Sequence, residues 1–193
     1  MAVRRGRPTA RVLDSLGRVT PERVTRLSRS LVWLAAAAGA LHAAASLFWA
    51  LGGQWLLATV GQWAVDASAR SPLVAGAGLG LVALLKLLAA AVPVAVAYRR
   101  VPHPGVWRGV SWAGGLLLVV YGGVNVVVAN AVPLGVIRPE GGYDAAAMRG
   151  HAHLWDPLFL VWGGALVLSL APSRRRPAGA RARGPQGGRS SAT

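Results

Sequence analysis

A single lysine in the middle of a long apolar run is the residue most suited to chemistry in this chain. Lys86 is flanked by Leu84, Leu85, Leu87 and Leu88. A charge at the centre of a bilayer costs roughly 2.5–3.5 kcal/mol on insertion scales. One interpretation is a side chain that snorkels to the membrane surface or loses its charge. The other is a cation that faces neighbouring helices and binds an anion or relays protons.

Three more polar residues fall at comparable depths in two other apolar runs. His42 lies about 15 Å inside the end of the first run by helical rise. Tyr121 lies at a similar depth in the third run, and Asn125 lies about one turn nearer the same end. If all face inward, they form an intramembrane polar patch with Lys86. Taken singly, His42 and Asn125 are also explained as residues that hydrogen-bond neighbouring helices together.

A second group of polar and aromatic residues lies where the apolar runs meet two loops. His151 and His153 would point the same way in an extended chain and could share a metal, whereas their rings diverge on a helix. Asp66 and Asp156 are possible additions on the same face, but no third ligand has convincing spacing. We therefore predict no metal and no cofactor. The predicted outer-face cluster comprises Trp49, Trp55, Asp66, His151, His153, Trp155 and Asp156.

The elements that position these residues follow from four apolar runs of membrane-spanning length. The 193-residue chain is 54% hydrophobic, and a soluble domain would not need several apolar runs of about 20 residues. The spans fall at about 31–52, 73–98, 109–132 and 154–171. The prediction is an all-α membrane protein with four transmembrane helices in an up-and-down bundle over 31–171. The absence of cysteine excludes disulfides and thiolate metal sites.

Local signals mark where helices begin and end. Thr20-Pro21-Glu22 predicts a helix start, so the basic arm 1–30 is expected to be partly helical from 21. Gly52-Gly53 is expected to end the first helix. Asp144 is placed to cap a short helix at 145–148. The tail 172–193 consists largely of Arg, Pro, Gly and Ser and is predicted to be disordered.

The distribution of arginine predicts the orientation. The formal net charge is +15, yet nearly all arginines lie outside the apolar runs. Seventeen fall in the arm, the 99–108 loop and the tail, against three in the other two loops. Both termini are therefore expected to be cytoplasmic in the cell membrane. The expected partner is the bilayer, with anionic lipids held by the Arg-rich tails at roughly 1 kcal/mol per residue, and no specific nucleic acid.

Small residues predict close helix packing. Gly76 and Gly80 form a G-x-x-x-G spacing in the second run, which lets helix backbones approach closely in lipid. A homo-oligomer or a membrane protein partner would use the same packing chemistry.

Two longer stretches carry a family resemblance. The first run ends in F-W-A-L-G-G-Q-W over 48–55, and the fourth begins H-A-H-L-W-D-P-L-F-L-V-W-G over 151–163. Together they resemble the small, mostly actinobacterial membrane proteins grouped as domain of unknown function 3995, with a similarity over about 31–170. The resemblance implies a four-helix membrane protein and brings no known activity. It also implies a shared outer-leaflet surface made by the first loop and the fourth helix.

Three functions are compatible with these patterns, since no catalytic motif decides between them. The first is a membrane protein with a structural or partner-dependent role. The second is a small oligomeric transporter or channel that uses the polar patch around Lys86. The third is a membrane enzyme acting at the outer face through His151, His153 and Asp156.

Overall fold

The computed structural model describes residues 21–171, which are mainly helical. The helices, numbered in chain order, are α1 Pro21–Ala50, α2 Gln62–Arg70, α3 Pro72–Ala97, α4 Pro104–Ala131, α5 Ala145–Gly150 and α6 Asp156–Leu170. A 3₁₀ turn, Leu57–Thr59, precedes α2, and a π-helical turn, His151–Trp155, joins α5 to α6.

Four stretches of helix are long and apolar enough to cross a membrane: Glu22–Ala50, Pro72–Ala97, Pro104–Ala131 and Ala145–Leu170. The predicted all-α class with four such helices is therefore confirmed. The first 20 residues of the arm lie outside the described residues. So does the tail 172–193, which was predicted to be disordered.

The ends of α1 follow local sequence chemistry. The helix begins at Pro21 and has Glu22 in its first turn, where a negative charge is favourable. It ends at Ala50. Gly52 then adopts a φ of 91°, and the Gly53 N–H donates to the Phe48 carbonyl at 2.9 Å. This left-handed closure strongly favours glycine, so Gly52 ends the helix.

The four long helices pack in the order α3, α1, α6, α4. Helix α1 packs along both α3 and α6, and α6 packs along α4, while α3 and α4 meet much less. Small residues allow the close approach: a Cβ on Gly163 would lie 2.6 Å from the Gly115 carbonyl oxygen. A core shared by α1, α3 and α6 contains Ala35, Ala38, Ala90, Trp162, Ala165, Leu166 and Leu170.

The bundle has two chemically different ends. At one end Trp33 Nε1 donates to the Tyr98 hydroxyl at 3.1 Å, and Arg108 donates to the Leu170 carbonyl. We call this the Arg100 end, because Arg100 follows Tyr98. At the opposite end, the His151 end, the 3₁₀ turn, α2, α5 and the π-helical turn gather. There Gly150 lies directly against the Thr59 backbone.

The fourth apolar helix starts earlier than the predicted 154. Asp144 accepts hydrogen bonds from the N–H groups of Ala146 and Ala147, at 2.9 and 3.0 Å, which confirms the predicted cap. Helical structure then continues through the π-helical turn. Pro157 offers no N–H and its ring crowds the carbonyl four residues before it, which accounts for a widened turn immediately before α6.

Candidate functional site

Lys86 faces the neighbouring helices. Its ammonium Nζ donates to Ser46 Oγ of α1 at 2.9 Å and lies 5.8 Å from the ring centre of Phe159 on α6. The second contact is a cation–π interaction, which gains strength when water is excluded. The lysine therefore links three helices through one hydrogen bond and one aromatic ring.

His42 lies one helical turn before Ser46 on α1 and is only 3% exposed. Its Nε2 is 3.0 Å from the Trp155 carbonyl oxygen, and its ring stacks on Phe159 with 3.9 Å between ring centres. A carbonyl only accepts hydrogen bonds, so the geometry places a proton on Nε2. His42 therefore holds the π-helical turn against α1.

Tyr121 and Asn125 on α4 are placed differently. The Tyr121 ring meets Phe159 edge-on, with 5.6 Å between ring centres, but the side chain is 50% exposed. Asn125 lies one turn further along α4 and is partly buried, and its side chain makes no hydrogen bond within residues 21–171. Of the predicted patch, the structure gathers three members around one ring and leaves Asn125 aside. We call the gathered set the Phe159 cluster: His42, Ser46, Lys86, Tyr121 and Phe159.

A second polar site forms at the His151 end. Asp156 is fully buried, and its Oδ2 lies 2.9 Å from His151 Nδ1. His151 Nε2 lies 3.3 Å from the Val60 carbonyl oxygen, so this nitrogen carries a proton. A further proton must lie between Nδ1 and Oδ2. The other carboxyl oxygen of Asp156 is buried without a hydrogen-bond partner in the described part of the chain.

Tryptophans join the first loop to the bundle around this pair. Trp155 Nε1 donates to Thr59 Oγ1 at 3.0 Å, and Trp49 Nε1 donates to the Trp55 carbonyl at 2.9 Å. The rings of Trp49 and Trp155 meet edge-on at 5.2 Å, whereas the Trp55 ring is 74% exposed. The loop, the end of α1 and the π-helical turn therefore form one connected surface.

The remaining predicted members of the outer-face cluster lie apart from the His151–Asp156 pair. Asp66 is exposed and accepts a hydrogen bond from Gln62 on its own helix. His153 is exposed while His151 points inward, as the helical alternative requires. Within residues 21–171, no three or more His, Asp or Glu side chains are placed to hold a metal ion.

The two glycines of the G-x-x-x-G spacing face α1. A Cβ on Gly76 would lie 2.9 Å from the Ala50 carbonyl oxygen, and one on Gly80 would lie 3.8 Å from the Ala50 Cβ. The first contact leaves no room for a side chain, while the second is an ordinary van der Waals distance.

Residues 39–166, more than half of the sequence, match the family described as Protein of unknown function (DUF3995). The chain belongs to this family. The resemblance seen in the two aromatic stretches is therefore confirmed. No curated protein and no solved structure was found to match.

Both polar sites of this DUF3995 protein lie inside the matched region. The two stretches that carry the resemblance contact one another through the ring pair of Trp49 and Trp155. Sequence reasoning missed the partners that complete the sites. Ser46 carries a weak signal, because it follows His42 by four residues on one helix face. Thr59 and Val60 carry none, since they contribute through a loop conformation.

Proposed function

We propose that this DUF3995 protein is a multi-pass protein of the cytoplasmic membrane with a structural or partner-dependent role. In this proposal its four long helices form an up-and-down bundle and both termini are cytoplasmic. A helix of 26 residues such as α3 reaches about 39 Å, which exceeds the roughly 30 Å hydrocarbon core. Large apolar side chains are exposed along these helices, as lipid contact requires.

The observation that carries the structural role is the pairing of polar groups inside the bundle. Lys86 is bonded to Ser46, and His42 is bonded to the Trp155 carbonyl. Both contacts join different helices, and polar groups in lipid must find partners within the protein. A scaffold needs such internal bonds, whereas a conduit needs polar groups that a substrate can reach.

The charges of the two ends support the orientation. Arg99 and Arg100 follow α3, and Arg108 lies in the first turns of α4, all at the Arg100 end. The first turns of α1 add Arg23, Arg26 and Arg29. By the excess of arginine on cytoplasmic segments, the Arg100 end is the cytoplasmic end.

Single cysteines test this orientation cleanly, because the chain contains none. Gly105 at the Arg100 end and Gly141 in the opposite loop both have open space where a side chain would start. In intact cells, a membrane-impermeant maleimide should label Gly141→Cys, and should label Gly105→Cys only after permeabilisation. The reverse pattern would contradict the proposed orientation, and equal labelling would contradict a single orientation.

A small oligomeric transporter or channel is the second candidate, favoured by one observation: a lysine in the middle of a span. Thermal unfolding of Lys86→Met in detergent separates the two, with Leu85→Met as the control on the same helix. A structural cation predicts a lower melting temperature for Lys86→Met, because a link between helices is lost. A higher melting temperature would mean that the lysine is kept at a cost to folding, and would favour transport.

The contacts of the three residues do not favour an enzyme at the outer face. Of its three residues, His151 and Asp156 are paired with each other, while His153 is exposed on the far side of the turn. Asp156 is buried and the partly exposed His151 contacts the Val60 carbonyl of the first loop, so these contacts support a role in holding that loop. A partner, on this proposal, is a second copy or another membrane protein that packs against α3 or α4, the two outer helices.

A further inference from the structure

An apolar groove lies on the surface of the bundle between α1 and α3, near the Arg100 end. Its volume is about 720 Å³. Alanines line most of it, so the groove exists because large side chains are missing from both facing helices. The lining alanines are Ala36, Ala37, Ala40, Ala90, Ala91 and Ala95. A trough of this kind is shaped for a flexible hydrocarbon chain.

The mouth of the groove is polar and cationic. Trp33 Nε1 donates to the Tyr98 hydroxyl, which leaves the hydroxyl proton free to donate to a ligand. The Arg29 guanidinium lies 5.8 Å from the centre of the Tyr98 ring, and Arg100 lines the groove itself. Neither arginine is ion-paired with an acidic side chain within 21–171. The mouth therefore has one arginine in its lining, a second arginine beside Tyr98, and one hydroxyl donor.

The two arginines that follow α3, Arg99 and Arg100, line different cavities. Arg99 has a φ of 55°, a left-handed conformation that strains an L-residue and is usually given to glycine. Arg99 lines a neighbouring recess of about 490 Å³ together with Arg29 and Arg108, while Arg100 lines the groove. Arginine at this strained position adds positive charge beside the mouth.

We propose that the groove binds one anionic phospholipid, with an acyl chain along the alanine trough and the phosphate between Arg29, Arg100 and the Tyr98 hydroxyl. The site goes beyond the proposed function and rests on the membrane location given there. A zwitterionic lipid also brings a phosphate, but its own ammonium offsets that charge, so an anionic lipid is the better match for two arginines. A soluble phosphate would leave the trough empty, and an acyl chain fills it.

The headgroup contacts are tested by lipid binding to the purified full chain in an uncharged detergent. Native mass spectrometry would compare retention of phosphatidylglycerol and phosphatidylcholine with identical acyl chains. Wild type should retain phosphatidylglycerol preferentially. Arg29→Gln/Arg100→Gln should weaken phosphatidylglycerol binding by roughly tenfold or more, and phosphatidylcholine binding less, because choline already offsets the phosphate charge.

A matched pair at the other end of the bundle controls for overall charge. Arg70→Gln/Arg138→Gln also removes two positive charges, but outside the groove, and should keep the wild-type preference for phosphatidylglycerol. If this pair weakens binding as much as Arg29→Gln/Arg100→Gln, attraction to the whole cationic chain explains the preference and the site is overturned. Equal retention of the two lipids by wild type would overturn it as well.

The trough is tested by filling it. Ala91→Leu adds bulk inside the groove and should reduce retention of both lipids, whereas Ala77→Leu, on the exposed surface of the same helix, should not. Unchanged retention by Ala91→Leu would overturn the acyl-chain contact. Competition by soluble glycerol phosphate would assign the arginines to a free anion instead. Lipid binding to the chain in detergent does not depend on which end of the bundle is cytoplasmic. Reversed cysteine labelling would therefore overturn the proposed orientation and not this site.

Discussion

The Lys86–Ser46 contact is the residue-scale feature on which the internal pairing depends. An ammonium group in a low-dielectric environment gains more from a hydrogen-bond acceptor than it would in water, and loses more without one. Ser46 is 1% exposed and supplies that acceptor at 2.9 Å. The hydroxyl is small, so its removal changes packing little and isolates the polar contact.

We expect Ser46→Ala to lower the free energy of unfolding by about 1–3 kcal/mol, because the lysine loses its acceptor. In a Lys86→Met background the same change should have little effect, since no cation is left to pair. Thermal unfolding of the four proteins in one detergent gives this double-mutant cycle. Equal costs in both backgrounds would mean that Ser46 acts through packing alone.

Asp144 offers a pH-dependent contact outside the four helices that are long and apolar enough to cross a membrane. Its carboxylate accepts hydrogen bonds from the backbone N–H groups of Ala146 and Ala147 at the start of α5 and of Gln62 at the start of α2. The N–H of Ala147, then that of Gln62, hold the pKa of Asp144 below its usual 3.8. The ionised carboxylate therefore ties two loops of the His151 end together.

The sign of the pH effect follows from the lowered pKa. Stabilisation by Asp144 is complete above pH 3.8, its usual pKa, and is lost as the pH falls through the lower pKa of the folded state. We expect the melting temperature of wild type to fall more between pH 6 and pH 3 than that of Asp144→Asn. The asparagine keeps a neutral cap. Identical pH dependence in the two proteins would refute the contact.

Residue types predicted the polar sites only in part. Lys86 and His42 stood out because ionisable side chains are rare inside apolar runs. Phe159, Thr59 and Val60 could not be predicted, since they act through a ring face, a loop hydroxyl and a backbone carbonyl. Such contributions depend on which helices are neighbours, and the types of the residues do not specify that.

At the scale of elements, the start of the fourth apolar helix differs from the one that the sequence pattern predicted. The sequence predicted a short helix at 145–148 and a separate span from about 154, yet helical structure continues between them, where Asp144 caps the helix start and one Asp156 oxygen pairs with His151. Polarity predicts exposure only when no partner is available. The π-helical turn immediately before Asp156 and Pro157 was not predicted.

Adjacent glycines of α6 test how closely α4 and α6 approach. A Cβ on Gly163 would lie 2.6 Å from the Gly115 carbonyl oxygen and 2.9 Å from the Val119 nitrogen, both backbone atoms. A Cβ on Gly164 would enter open space. One glycine is therefore required by packing, and its neighbour is not.

We expect Gly163→Ala to cost about 1–3 kcal/mol of stability through overpacking. Gly164→Ala should be neutral or stabilising by up to about 1 kcal/mol, because alanine favours the helix. Melting temperatures of the two variants in the same detergent provide the comparison. Similar destabilisation by both would indicate that helix flexibility, and not close packing, is what these glycines supply.

For the whole molecule, the spatial order of the helices is the feature that the sequence leaves open. Four apolar runs and the loop lengths permit several arrangements, and all helices here are rich in small residues. The structure makes α1 and α6 the central pair, with α3 and α4 on the outside. That order brings the two aromatic stretches together, although about 100 residues of sequence separate 48–55 from 151–163.

The contact between α1 and α3 can be tested by a disulfide. A Cβ on Gly80 would lie 3.8 Å from the Ala50 Cβ, which is the mean Cβ separation across natural disulfides, about 3.8 Å. Ala50→Cys/Gly80→Cys should therefore cross-link under mild oxidation and run as a compact, reducible monomer on a gel. The cysteine-free chain provides no competing thiol.

Gly78→Cys/Gly114→Cys is the matched control, because both positions open onto empty space on the outer helices. This pair should stay reduced within one molecule. An internal cross-link in the control, or its absence in Ala50→Cys/Gly80→Cys, would contradict the helix order. Since α1 must touch α3 on one side and α6 on the other for Lys86 to reach both Ser46 and Phe159, that result would also remove the geometric basis of the Phe159 cluster.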